Sequence, residues 1–284
     1  MLKQRIITAL VLLAILLPAL FASTPEPFAA VALVLIAAGA WEWGRLNTCG
    51  QPLSLLFALI CVGLCAGSWR LGWLGQSMPM LWAGAGVTWV LGGAWLLRRG
   101  VAGWSSIPHG VRLPVGLLAL WLAWLAVAQA RFVGINFLLS ILVLVWVADI
   151  FAYFAGRAFG GRVAAGKLAP SISPGKSWEG VWGGMAGVVT LAFLWAWADR
   201  ALGAGVASFY TRLSIHGGWL LLIAVLFMAA MSVVGDLVES LIKRSAGVKD
   251  SSGLLPGHGG VLDRVDALLP TLPLAMMLVT LGRS

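Results

Sequence analysis

The sequence predicts an all-α, polytopic integral membrane bundle of about nine transmembrane helices, with its N-terminus in the cytoplasm. Three observations lead there. Hydrophobic residues make up 61% of the 284 and charged residues only 10%, whereas a soluble domain carries roughly 25% charged residues. Apolar runs of about 20 residues, enough to cross a bilayer, recur along the whole chain. If those runs alternate across a membrane, fourteen of the nineteen Lys and Arg fall on one side.

The first run, 6–22, follows Lys3 and Arg5. No convincing small-residue cleavage site precedes Pro25 and Pro27, so it reads as a retained helix and not as a signal peptide. The remaining runs are 28–45, 52–69, 78–97, 113–130, 134–156, 178–198, 217–243 and 260–281. Hydrocarbon offers no partners for free backbone groups, and no barrel-type alternation appears, so each run reads as a helix. The longest polar interruptions lie near 98–112, 157–177, 199–216 and 244–259. Residues 1–284 read as a single integral membrane domain, with a catalytic portion at 149–270.

Several of the sixteen Trp, including Trp41, Trp43, Trp69, Trp73 and Trp104, sit near the ends of apolar runs and read as headgroup-layer anchors. Cys49, Cys61 and Cys65 complete no zinc motif and read as structural. Placing the N-terminus inside puts Lys3, Arg5, Arg45, Arg98, Arg99, Arg112, Arg157, Arg162, Lys167, Lys176, Lys243, Arg244, Lys249 and Arg264 on the cytoplasmic side. Arg70, Arg131, Arg200, Arg212 and Arg283 fall on the other. The net charge of +9 therefore reads as basic loops at a membrane surface and not as a nucleic-acid footprint.

Acids inside spans are costly and mark function by default. Seven of the ten crowd three clusters in the second half of the chain. In the eighth run, Ser232, Asp236, Glu239 and Lys243 fall within about 60° of one another on a helix of 100° per residue, so one face carries a hydroxyl, two acids and a base. The second cluster runs from Lys243 and Arg244 through Lys249 and Asp250 into Gly253, Pro256, Gly257, His258, Gly259 and Gly260, then Asp263, Arg264 and Asp266. Acids at a helix start, where anions are favoured, make sense if a cation joins them to the anion, and oxygen donors suit magnesium bound to phosphate. The basic side chains would neutralise the remaining phosphate charge.

The third cluster holds Asp149, Tyr153 and Arg157, then Lys167, Ser173, Lys176, Ser177 and Glu179 among glycines. That is the composition of a phosphate-binding loop, without the GxxxxGK[ST] spacing of a Walker motif. Taken alone, such a basic, glycine-rich loop is more often a solvated connector. His258 reads either as a proton donor or phosphate ligand, or as a packing residue of its glycine turn. Glu42, between Trp41 and Trp43, reads as an interfacial acid.

The segment SLIKRSAGVKDSSGLLPGHGGVLDRVD, from Ser240 to Asp266, resembles the signature of the phosphatidate cytidylyltransferases. DIFAYFAGRAFGGRVAAGKLAPSISPGKSWEG, from Asp149 to Gly180, resembles that family's second block, and the opening MLKQRIITAL is similar to bacterial members. The resemblance implies a bacterial inner-membrane enzyme with its active site facing the cytoplasm, converting CTP and phosphatidate to CDP-diacylglycerol and pyrophosphate with a divalent cation. It implies that Asp236 and Asp263 bind Mg2+, and it suggests a homodimer.

The expected roles follow. Asp236, Asp263, Lys243, Arg264 and His258 are the candidate catalytic residues. Asp266, Asp250, Glu239 and Asp149 join Asp236 and Asp263 as candidate metal ligands, with a second Mg2+ or a K+ left open. Lys249, Arg244, Lys167, Ser173, Lys176, Ser177, Tyr153 and Arg157 are the candidate substrate contacts. The nucleophile is an already anionic lipid phosphate, so no strong base is needed and positioning with charge neutralisation suffices. Two rival readings remain: a CTP-dependent lipid kinase similar to dolichol kinase, and an ion-coupled transporter.

Overall fold

Proline, glycine and hydroxyl side chains set where most of these helices begin. The computed structural model describes residues 2–164 and 166–281. In order, its helices are α1 (Leu2–Phe21), α2 (Glu26–Leu46), α3 (Gln51–Arg70), α4 (Pro79–Ser105), α5 (His109–Val133) and α6 (Ile135–Phe159). A two-stranded hairpin, β1 (Lys167–Ala169) and β2 (Ser173–Ser177), follows. Then come α7 (Trp178–Ala201), α8 (Phe209–Ser214), α9 (Gly218–Ser245), α10 (Leu262–Val265) and α11 (Leu268–Leu281).

Pro27, Pro52 and Pro79 occupy first-turn positions of α2, α3 and α4, where a missing N–H costs nothing. Ser177 caps α7, its hydroxyl accepting from the Gly180 amide at 3.2 Å.

Among the described residues nine helices are long and apolar enough to cross a membrane, counting Leu262–Leu281 as one. They coincide with the nine expected runs. Exposed apolar side chains line their outer faces, such as Ile6, Leu10 and Leu17 on α1 and Leu194 and Trp197 on α7, surface that only hydrocarbon would accept. The protein is a multi-pass helical membrane protein.

The structure refines the sequence boundaries in three places. The 157–177 interruption carries the antiparallel hairpin, pairing Lys167 with Ser177 and Ala169 with Ser173. Helical structure continues past residue 97 to Ser105, but α4 is two helical pieces joined by a kink at Gly100, whose φ of 67 and ψ of −167 are not helical and suit a glycine. Trp43 and Trp104 are not surface anchors: both are buried, with rings edge to face at 5.6 Å, and Trp43 Nε1 donates to the Leu113 carbonyl. Arg283 lies outside the described residues.

Small residues bring α6 and α7 together. A Cβ added at Gly184 would lie 2.8 Å from the Ala148 carbonyl oxygen, and one at Gly180 would lie 3.0 Å from that of Ala152. Such close backbone approach is how helices pack where lipid gives no hydrophobic drive. α9 is the most enclosed span and α1 the least. At the end of the bundle away from the hairpin, Asp199 accepts from Asn136 Nδ2, the Ser208 amide and Thr211 Oγ1, which knots α6, α7 and α8 together.

Candidate active site at the hairpin end of the bundle

α6, α7 and α9 enclose a cavity of about 660 Å3 beneath the hairpin. Its walls are of two kinds. Ala148, Ala152, Val181, Met185, Ala229 and Val233 make an apolar part, and Asp149, Tyr153, Arg157, Lys176, Ser177 and Asp236 make a polar one. Tyr153 and Arg157 are a turn apart on α6, and the guanidinium donates to the phenol oxygen at 3.0 Å. The hairpin carries Lys176 inward, where its ammonium lies 2.5 Å from Asp236 Oδ2. Asp149 and Asp266 act electrostatically on the same lysine and on Asp236. Gly235 makes this junction possible, since a Cβ there would meet the Asp266 carbonyl at 2.5 Å.

The polar stripe expected on α9 is present, and it serves two neighbours. Asp236 faces β2. Two turns on, Lys243 bridges Glu239 Oε2 at 2.7 Å and Asp263 Oδ1 at 2.5 Å. Asp263 Oδ2 accepts from the Ser251 amide, the Ser251 hydroxyl and the Gly260 amide, at 2.9, 2.9 and 2.7 Å. Ser232 turns back to its own helix at the Ala229 carbonyl.

Five of the six candidate metal ligands thus divide between two lysines. Asp149 and Asp236 lie around Lys176, Glu239 and Asp263 around Lys243, and Asp266 acts electrostatically on both lysines. Asp250 is exposed. Among the described residues no three acids are close enough to hold a metal ion by themselves. Magnesium needs no such cage: one or two carboxylates, water and substrate phosphates suffice. The Lys176 ammonium shows that a cation fits against Asp236. Asp263 has both oxygens engaged and would have to release Lys243 first.

The other expected contacts are spread around this centre. Lys167 Nζ donates to the Pro174 carbonyl and braces the hairpin, in which Ser173 opens β2. Arg244 reaches the Ile172 and Val248 carbonyls and ties the hairpin turn to α9. Lys249 is exposed. Arg264 donates twice to the His258 carbonyl, and His258 Nδ1 has no partner among the described residues. Glu179 Oε1 accepts from the Gly161, Val163 and Ala164 amides and fastens that loop to the start of α7.

One acid also overturns its sequence reading. Glu42 is not an interfacial acid; it has no exposed surface. It accepts from the hydroxyls of Ser251 and Ser252 and from the amides of Val261 and Leu262. The flanking tryptophans suggested an interface. The available signal was the rule that an acid inside a span is functional until shown otherwise.

Fold and site together define a helical membrane protein with acids, lysines and a part-apolar cavity gathered at one end of the bundle. Residues 3–281 match the Cytidylyltransferase family, and the chain belongs to it. A phosphatidate cytidylyltransferase of Pseudomonas aeruginosa is 40% identical over 278 residues, which is 96% of this chain and 95% of the relative. The enzyme of that name from Haemophilus influenzae is 37% identical over 291 residues, 96% of each chain. One from Thermotoga maritima is 43% identical over 138 residues, 48% of this chain and 46% of the relative. The chain is an enzyme of the nucleotidyltransferase class.

Proposed function

We propose that the enzyme transfers the cytidylyl group of CTP to phosphatidate, giving CDP-diacylglycerol and pyrophosphate. The observation that carries the reading is the two-part cavity. A phosphate could meet Lys176, Arg157, Tyr153 and Ser177 while acyl chains lie against Val181, Met185, Ala229 and Val233. The names of the full-length relatives support the same substrates.

In the reaction an anionic oxygen of the lipid phosphate attacks the α-phosphorus of CTP. The bond from that phosphorus to the oxygen bridging to the β-phosphate breaks, and pyrophosphate leaves. Both reactants are anions, so the work is charge neutralisation and in-line positioning. Lys176 and Arg157 would hold the lipid phosphate, and Lys243, Arg244, Lys249 and Arg264 the triphosphate and the leaving pyrophosphate. Asp236, with Asp149 and Asp266 beside it, would hold Mg2+, and Asp263 would join by releasing Lys243. When bound, the metal supplies positive charge to phosphate oxygens. His258, with its free ring nitrogen, would donate to a phosphate. A second cation and a homodimer are further elements of the proposal.

We place the protein in a bacterial inner membrane with the hairpin end in the cytoplasm, where CTP is found. The basic residues concentrate toward that side.

The test uses purified protein in detergent with magnesium, phosphatidate, and CTP labelled separately at the α- and γ-phosphates. Transfer of α-label to lipid with γ-label released as pyrophosphate is the expected result. Transfer of γ-label to lipid would replace the reading with a lipid kinase.

A further inference from the structure

Glu42 sits on α2, some two hundred residues before the glycine loop it touches. Its Oε1 accepts from Ser252 Oγ at 2.5 Å and the Val261 amide at 2.9 Å. Its Oε2 accepts from the Leu262 amide at 2.8 Å and Ser251 Oγ at 3.2 Å. No Lys or Arg pairs with it among the described residues. A buried carboxylate without a counter-ion is costly unless donors surround it, and here loop 251–262 supplies every one of them. Gly260 is required by the same contact. A Cβ there would run into the Glu42 carboxylate and the Ser251 hydroxyl.

Ser251 joins this carboxylate to the site. Its hydroxyl lies 3.2 Å from Glu42 Oε2 and 2.9 Å from Asp263 Oδ2. One hydroxyl hydrogen can serve only one acceptor at a time. Glu42 and Asp263 therefore grip the same two short segments, around Ser251 and around Gly260–Leu262, and share a donor. The loop tip is held from the N-terminal part as well: Arg5 Nε donates to the Gly257 carbonyl and Thr8 Oγ1 to that of Pro256. Between these anchors the loop has little regular structure of its own, only one bridge between Leu255 and Gly259.

We infer that Glu42 is a positioning residue of the active site: it fixes segment 251–262 on α2 and thereby sets where Asp263, and through it Lys243, stand. Its kinetic consequence rests on the cytidylyl-transfer reading; its structural consequence does not.

Full-length Glu42→Gln, Ser251→Ala and the double variant, in detergent, provide the test. Glutamine keeps the shape but turns one acceptor into a donor facing donors. In Glu42→Gln, hydrogen exchange at Val261 and Leu262 should rise about tenfold or more, with α6 and α9 unchanged. The kcat for α-label transfer should fall about ten- to a hundredfold, as misplacement of a site by an ångström does. KM for CTP should move by less than about threefold, because the change removes a geometry and not a ligand contact. Ser251→Ala should add little to Glu42→Gln, since residues acting as a unit are not additive. Ser252→Ala, which removes one of the four bonds, should give a milder form of the same pattern and serves if Glu42→Gln does not accumulate. Unchanged exchange at 261–262, exchange raised uniformly through the bundle, or fully additive losses would each overturn the inference. If the wild-type protein moves no α-label, the cytidylyl-transfer reading fails, and the exchange data still decide the role of Glu42.

Discussion

The Lys176 ammonium lies 2.5 Å from Asp236 Oδ2, and this contact joins a hairpin strand to the most enclosed helix of the bundle. Both partners are partly exposed, at 25% and 32%, so the pair contributes little to stability, about 0–1 kcal/mol. Its location in the cavity wall suggests a different importance. Lys176→Met should lower α-label transfer by about 10²- to 10³-fold, the usual loss when an electrostatic partner of a reacting phosphate is removed. The thermal midpoint in detergent should shift little. A variant that unfolds early but transfers label normally per folded molecule would contradict this.

Chelation should silence the enzyme. With only Asp236 and its neighbours available, the proposed metal site would be completed by water and substrate, so EDTA should strip it without unfolding the protein. Added Mg2+ should restore α-label transfer, and Ca2+, with its longer bonds and looser geometry, should restore it poorly. Full activity after exhaustive chelation would remove the metal from the proposal.

The α6–α7 contact should tolerate no side chain at Gly184. A Cβ there lies 2.8 Å from the Ala148 carbonyl oxygen, so Gly184→Val should destabilise by about 1–3 kcal/mol through overpacking. Gly92→Ala on α4 is the control: open space surrounds that position, and the change should be neutral or stabilising by about 0.5–1 kcal/mol. Thermal unfolding in detergent distinguishes the two.

Asp199 should matter for stability and not for turnover. It is about 30 Å from the hairpin along α7, at 1.5 Å per residue. Asp199→Ala strands the Asn136, Ser208 and Thr211 donors and should cost about 1–3 kcal/mol. Label transfer per folded molecule should stay at the wild-type rate.

The spans were legible in the sequence because run length and polarity alone decide them. The α9 stripe was legible because 3.6-residue periodicity fixes which side chains share a face. What such periodicity cannot show is the partner each face meets. Asp236 and Glu239 are three residues apart, yet one answers to Lys176 on β2 and the other to Lys243 beside Asp263. The hairpin was hidden because its strands are only three and five residues long. Glu42 was misread because its local surroundings, two tryptophans, describe an interface, while its donors come from the far end of the chain.

The Arg5–Gly257 and Thr8–Pro256 hydrogen bonds span roughly 250 residues. During synthesis α1 and α2 are made long before the loop that Glu42, Arg5 and Thr8 will hold, so segment 251–262 must close back onto them. On the cytidylyl-transfer reading, chemistry begins only once segment 251–262 is seated, and a nascent chain stalled just after α9 would carry Asp236 and Lys176 but no assembled reaction centre.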